Sequence, residues 1–312
     1  MDLQIRLAQS VHSFVLPISG CAQWQRTSDG WEARIELPPI PKAHIVVPSF
    51  AAPGLAGQYQ FLLQDAAIEC ALHPVPAAKQ PQPDTNKPNG SVTSHIDCWH
   101  TIRDVSSATI ILRVQTTRHP DQYLLCVTVR ELELANLPLP TNDISVPAPP
   151  AFSQMQADAK IRQRICSPTA LAMALGLNTD AQWQNSVDAC YDPVTQSYGA
   201  WPLAIRFASE RGYVGSVESA CNWDNAIAAL KAGMPVVCSI RFKRGELSGA
   251  PLAATGGHLV CLYGVAQGKA LVMDPAASDA SSVACAYDIE EFTGAWLKHR
   301  GAAYYLGSAK SH

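Results

Sequence analysis

A change of hydrophobic period at mid-chain constrains this sequence more than any other feature. Leu137-Pro138-Leu139-Pro140 and Val146-Pro147-Ala148-Pro149-Pro150 crowd into one short stretch. Proline fixes its own φ and offers no amide hydrogen, so such a stretch is extended and semi-rigid. Before it, several apolar segments alternate with polar residues, as half-buried antiparallel strands do. After it, apolar residues first recur at helical spacing and later gather into strand-like runs. Neither an all-helical nor an all-β fold accommodates both halves. The pattern predicts an α+β chain: a β-rich accessory domain over 1–136, a Pro-rich linker over 137–151 and a mixed domain over 152–312.

In the first half the candidate strands are 31–37, 44–47, 59–63, 108–114 and 123–129. Short strands with Pro and Gly turns predict an antiparallel β-sandwich or a jelly roll. Residues 74–90 are Pro-rich and nearly free of bulky apolar groups, the composition of an exposed, mobile loop. Trp24, Trp31 and Trp99 are read as core or interface residues before a carbohydrate or peptide platform. His95, Asp97 and His100 do not have a recognised ligand spacing, and no metal site is assigned to them. In the second half, helices are predicted at 168–175, 180–191, 201–211, 222–232 and 289–298, and strands at 213–217, 235–242, 258–265, 270–273 and 303–307. No internal repeat is visible.

Composition excludes several classes of function. The 312 residues carry a net charge of −3, with 16% charged and 47% hydrophobic residues, as in a soluble globular protein. Basic residues do not cluster beyond Lys243-Arg244, which argues against nucleic acid as a partner. No uncharged apolar segment reaches the roughly 18 residues of a membrane span. Asp2 and Arg6 interrupt any signal-peptide pattern, and the ten cysteines form no Cys-x-x-Cys pairs. Reduced thiols in the cytoplasm are therefore expected, with no cofactor and no zinc.

The chemistry lies in the second half. Cys166 directly precedes Ser167-Pro168-Thr169 and an apolar run. Proline is preorganised for a first helical turn, so Cys166 sits at a helix N-terminus. Unpaired N–H groups and the helix dipole there favour a thiolate. Such a nucleophile needs a base. His258 follows Gly256-Gly257 and opens an apolar strand, and Asp274 ends the next short strand. A three-residue hairpin loop, with Gly264 facing Gly268, would set His258 opposite Asp274. A two-residue turn would set Asp274 opposite Cys261. In either register, a histidine and a carboxylate on adjacent strands form the pair that orients and charges a catalytic base.

These segments resemble the C39-like cysteine peptidases of the papain-like fold, in the branch with a Cys-Ser-Pro-Thr motif. The resemblance rests on Cys166-Ser167-Pro168-Thr169, Gly257-His258-Leu259, Asp274-Pro275 and Ser153-Gln154-Met155. It extends to Gly199-Ala200-Trp201-Pro202, 232–237 and 292–297, and covers residues 150 to 306. It implies a papain-like catalytic domain in which Cys166 is the nucleophile, His258 the base, Asp274 the orienting acid and Gln154 an oxyanion donor. Gln156 or Gln163 could take the last role. Two positions depart from the pattern: Ile165 stands where tryptophan is usual and Ala200 where asparagine is usual. Many relatives in this family are exported, which leaves location open.

Three functions follow. The first is a cysteine hydrolase, a peptidase above all, that cleaves a peptide or other acyl or amide substrate through a Cys166 thioester. The second is an acyltransferase or cyclase on the same triad, and the third a catalytically silent binding module. Double-glycine leader cleavage is not carried over from the exporter relatives. Residues 241–251 form a long connection before His258 and are expected to rim or cover the pocket.

Overall fold

The computed structural model describes residues 13–16, 23–77, 83–135, 137–219, 222–299 and 301–308. Asp2, Arg6, Cys21, Cys221 and residues 78–82 of the Pro-rich segment lie outside them. In the first half the strands are β1 (Ser13–Leu16), β2 (Trp24–Arg26), β3 (Trp31–Leu37), β4 (His44–Ala51), β5 (Gln58–Asp65), β6 (Ile68–Ala71), β7 (Pro88–Asn89), β8 (Val92–Ser94), β9 (Trp99–Thr101), β10 (Ala108–Gln115) and β11 (Leu124–Glu131). They make two antiparallel sheets, ordered β1-β11-β4-β9-β8-β7 and β2-β3-β10-β5-β6. The five strands expected from alternation are all present. The others are short or lack a strong apolar alternation, so periodicity alone misses them.

Register explains why these strands share a core. On β10, Ile110 and Leu112 face Ile35 and Ala33 on β3, and Leu63 and Phe61 on β5. Val46, Phe50, Leu125, Val127 and Val129 of the other sheet join the same buried cluster as Phe61, Leu63, Ile110 and Leu112. Each large side chain buried there contributes ~1.5–3 kcal/mol. The opposite face of β3 and β10 is wet, and there Glu32 pairs with Arg34 and Arg113, each at 2.9 Å. Trp99 is fully buried and donates its indole N–H to the Cys70 carbonyl at 3.0 Å. Trp24 packs edge-on against Tyr123. His95 Nε2 and His100 Nδ1 are 3.2 Å apart and hydrogen-bonded, and an Asp97 oxygen accepts the Trp201 amide at 3.1 Å. Val75, in the Pro-rich segment, is buried and bridges to Tyr59.

The second half contains β12 (Ile144–Ser145), α1 (Cys166–Ala174), α2 (Asp180–Ala189), α3 (Trp201–Glu210), β13 (Tyr213–Glu218), α4 (Trp223–Lys231), β14 (Val236–Phe242), β15 (Thr255–Ala266), β16 (Lys269–Met273), β17 (Ala284–Asp288), α5 (Ile289–Leu297) and β18 (Ala303–Ser308). The sheet runs β13-β18-β14-β15-β16-β17, antiparallel throughout, and β12 pairs with the far end of β15. Strand period two gives this sheet two buried faces. Val237, Leu259 and Cys261 pack with Leu171, Met173, Ile205 and Phe207 from α1 and α3. Cys238, Ile240, Val260 and Leu262 pack with Trp223, Phe292 and Trp296 from α4 and α5. Side chains close the helix starts: Thr179, Asn222 and Asp288 accept first-turn amides of α2, α4 and α5. β12 comes from the proline-rich stretch. It reaches β15 because Gly264 has no side chain; a Cβ there would meet Ser145.

Polar contacts tie the two halves together. Ser49 Oγ accepts the Val217 amide at 3.1 Å, and Thr128 Oγ1 accepts the Ser219 amide at 2.9 Å. Arg130 is buried and donates to the carbonyls of Ser219 at 3.3 Å and Leu297 at 2.8 Å. Gly301, at a φ of +53°, leaves room for that guanidinium, since a Cβ there would overlap it.

Candidate active site

α1 begins at Cys166 itself, two residues before the proline at which the helix was expected to start. Pro168 is still in the first turn, where a missing N–H breaks no intrahelical bond. Ile165, the residue before the helix, supplies no side-chain cap, so first-turn N–H groups are left facing the sulfur. The three residues after Cys166 fix its position. The Ser167 hydroxyl is 2.9 Å from the Tyr304 hydroxyl on β18. The Pro168 carbonyl accepts from Ser186 of α2 at 2.9 Å. Thr169 Oγ1 donates to the Ile165 carbonyl at 2.7 Å and accepts the Trp183 indole N–H at 3.0 Å.

The hairpin register differs from the three-residue loop drawn from the sequence. Ala266 pairs with Lys269, so the turn is the two residues Gln267-Gly268. An extra residue on β15, Tyr263, then shifts the ladder, and Cys261 faces Met273. β16 therefore ends before the stretch 255–260, which has β14 on one side only. The N-terminus of α1 takes the open side, and the Leu259 amide donates to the Cys166 sulfur. A second irregularity lies beside His258. Ile240 pairs with His258 and Phe242 with Thr255, so Gly256 and Gly257 together oppose Arg241 alone. This is a bulge, and it re-aims the strand at the site.

His258 and Asp274 meet just past the end of β16. His258 Nε2 lies 2.7 Å from Asp274 Oδ1, with the side chains 3% and 1% exposed. Oδ1 also accepts the Ala276 amide at 2.8 Å, and Oδ2 accepts the Tyr287 hydroxyl at 2.7 Å. With Nε2 committed to Asp274, the ring's hydrogen bond to Cys166 falls to Nδ1. Burial opposes charge on His258, yet the Asp274 carboxylate and the bond to Cys166 outweigh it and raise the imidazole to about 10. Burial likewise pushes the Cys166 thiol up, but the His258 bond and charge and the Leu259 and Ser167 amides hold it below its ordinary value. Burial would raise Asp274 too; His258, Tyr287 and the Ala276 amide keep it below the usual carboxylate value. Cysteines without such partners behave oppositely, and burial pushes Cys190 up to about 12. As a residue, Cys166 is only partly buried.

The structure distinguishes the three glutamines. Gln154 is buried, while Gln156 and Gln163 are exposed. Gln154 opens a short 3-10 turn, and its amide bonds to the Pro275 carbonyl at 2.8 Å, next to Asp274. Ser153 Oγ fastens the same segment to the Ala277 carbonyl at 2.5 Å. Gln154 Nε2 donates one hydrogen to the Arg162 carbonyl at 2.6 Å, which leaves its second hydrogen unassigned. Tyr287, which holds Asp274, has no counterpart among the residues singled out from the sequence. Its strand, Ala284-Cys285-Ala286-Tyr287-Asp288, is made largely of small residues and carries little β signal.

Comparison with known proteins bears on the family. The model of the Peptidase_C39 like family matches residues 148–304. A solved structure described as a C39-like peptidase from Bacillus anthracis is 16% identical, covering 55% of this chain and 100% of that one, at a TM-score of 0.40. A double glycine motif protease from an AMS/PCAT transporter, in complex with the leader peptide, is 17% identical, covering 54% of this chain and 99% of that one, at a TM-score of 0.32. No curated protein matches.

Proposed function

Because the chain belongs to the C39-like peptidase family, we propose that it is a cysteine peptidase that cleaves an amide bond through a thioester on Cys166. The observation that carries this reading is the continuous chain of bonds from Asp274 through His258 to Cys166 at an uncapped helix N-terminus. Together these stabilise thiolate and imidazolium, the reactive form of a cysteine nucleophile. The thiolate attacks the substrate carbonyl carbon. The developing oxyanion is held by the Cys166 amide and the second Nε2–H of Gln154. Imidazolium Nδ1–H passes its proton to the leaving amine, which departs and leaves the thioester. A water then gives its proton to Nδ1 as its oxygen attacks the thioester carbonyl, and the acid product leaves the restored thiolate. Asp274 holds the Nε2–H tautomer throughout.

In this reading residues 152–312 form the catalytic domain, 137–151 are its linker, and the two sheets before it form an accessory β-sandwich that buttresses α3 and β13. The enzyme works on peptides in a reducing compartment. The test is incubation of wild type and Cys166→Ala with a mixture of peptides of known sequence, with new termini read by mass spectrometry. Wild type generates new termini and Cys166→Ala, with an unchanged circular dichroism spectrum, does not. Equal cleavage by both proteins contradicts the mechanism.

A further inference from the structure

A cavity of about 480 Å³ opens beside the Gly256-Gly257 bulge, lined in part by Arg241, Lys243, Arg244, Thr255, Gly256 and His299. Arg241, Lys243 and Arg244 are exposed, and none has an ion-pair partner among the described residues. Elsewhere, Arg34 and Arg113 pair with Glu32, and Arg206 with Glu210. One carboxylate, Glu133, also lines the cavity, largely exposed and 3.6 Å from His299. Glu246 accepts the Lys243 amide at 2.7 Å, and Glu291 holds Ser248. The loop from Lys243 to Ser248 is thus held by Glu246 and by Glu291 of α5, while Arg241 and Arg244 stay exposed and without an ion-pair partner among the described residues. In a chain of net charge −3, this concentrates positive charge at one concave place.

Its position gives the charge a use. Arg241 opposes the two glycines that directly precede His258. At ~3.3 Å per strand residue, the Gly256 wall stands about 7 Å from His258. An extended peptide advances by the same amount per residue, so a side chain two to three residues from the scissile bond falls over the cavity. Neither glycine would bring a Cβ within 4 Å of another atom, so that path is open. Guanidinium groups match a carboxylate bidentately, which a neutral amide cannot reproduce.

We propose that this cavity is a specificity subsite that selects peptide substrates by an aspartate or glutamate side chain two to three residues from the cleaved bond. The proposal rests on the peptidase reading above. It is tested with the full-length protein and a library of acetylated, C-terminally amidated peptides, with cleavage sites located by mass spectrometry. kcat/KM is then measured on one cleaved peptide carrying Glu or Gln at the selected position, in wild type and in Arg241→Ala/Arg244→Ala. Wild type favours Glu over Gln by about tenfold, and the double variant brings that ratio close to one. The wild-type ratio also shrinks in 0.5 M salt, because the cations are exposed. Cleavage with equal rates on the Glu and Gln peptides overturns the subsite and leaves the peptidase standing. A preference unchanged in the double variant does the same. If free-acid peptides outrun amides with no side-chain preference, the cavity binds a terminal carboxylate and the side-chain assignment is overturned. No cleavage of any peptide by wild type overturns the peptidase reading, and the subsite with it.

Discussion

Asp274→Asn separates the charge of the orienting acid from its geometry. Two N–H donors converge on Oδ1: His258 Nε2 at 2.7 Å and the Ala276 amide at 2.8 Å. Among the described residues, Oδ2 meets only the Tyr287 hydroxyl, at 2.7 Å. An asparagine must therefore keep its oxygen at Oδ1, since the reverse orientation would press Nδ2 against two donors. Nδ2 then faces Tyr287, whose hydroxyl can rotate and accept. The tautomer of His258 survives, with Nδ1 still toward Cys166. What is lost is the charge. A hydrogen bond to a charged group contributes ~1.5–3 kcal/mol and a neutral one ~0.5–1.5, so the difference is about 1–1.5 kcal/mol. That corresponds to a rate about tenfold lower. The assay is the burst of 4-nitrophenolate from 4-nitrophenyl acetate at pH 7, which reads acylation of Cys166 without a known substrate. Thermal melting run alongside checks the fold. A burst rate reduced about tenfold, with a melting point within a few degrees of wild type, is the expected result. A loss of about 10⁴-fold, the size seen when an asparagine imposes the wrong tautomer on a catalytic histidine, would refute the argument that Ala276 pins the amide.

Two further outcomes follow from the same contacts. Tyr287→Phe leaves Asp274 Oδ2 buried without its donor and destabilises the protein by about 1–3 kcal/mol, read as a lower urea midpoint with an unchanged slope; an unchanged midpoint would show that Tyr287 does not support the acid. Gly257→Val places a side chain in open space next to His258, so the melting point holds while kcat/KM on any cleaved peptide falls at least tenfold; unaffected turnover would show that substrate does not pass this strand.

Periodicity served well where apolar residues recur on one helix face: with Trp223, Ile227 and Leu230 at helical spacing, helix 222–232 is observed as Trp223–Lys231. The family resemblance, too, lay open in short motifs, because Cys166-Ser167-Pro168-Thr169 packs chemistry and helix start into four residues. The physical reasons for Ser167 and Thr169 were not legible. They depend on Tyr304 and Trp183, each distant in sequence. The hairpin register was also out of reach, because the extra residue at Tyr263 is a property of the ladder and leaves no local signature. Tyr287 was hidden by a strand of small residues. The basic cavity needed the fold to bring His299 to Arg241; in sequence, only Lys243-Arg244 stood out.

The reactivity of the site rests on His258 holding Cys166 as a thiolate. The most direct test of this is the pH dependence of iodoacetamide labelling at Cys166, located by peptide mass spectrometry, in wild type and His258→Ala. Cys166 lies below its ordinary value and His258 is raised to about 10. The thiolate–imidazolium pair therefore forms below the ordinary cysteine value and persists until His258 loses its proton near that upper value. Labelling in wild type is fast at pH 6 and stays on a plateau through pH 9. In His258→Ala it collapses at pH 6 and recovers only near the ordinary cysteine value of about 8.5. Slow labelling at pH 6 in both proteins, rising together near pH 8.5, would contradict the account.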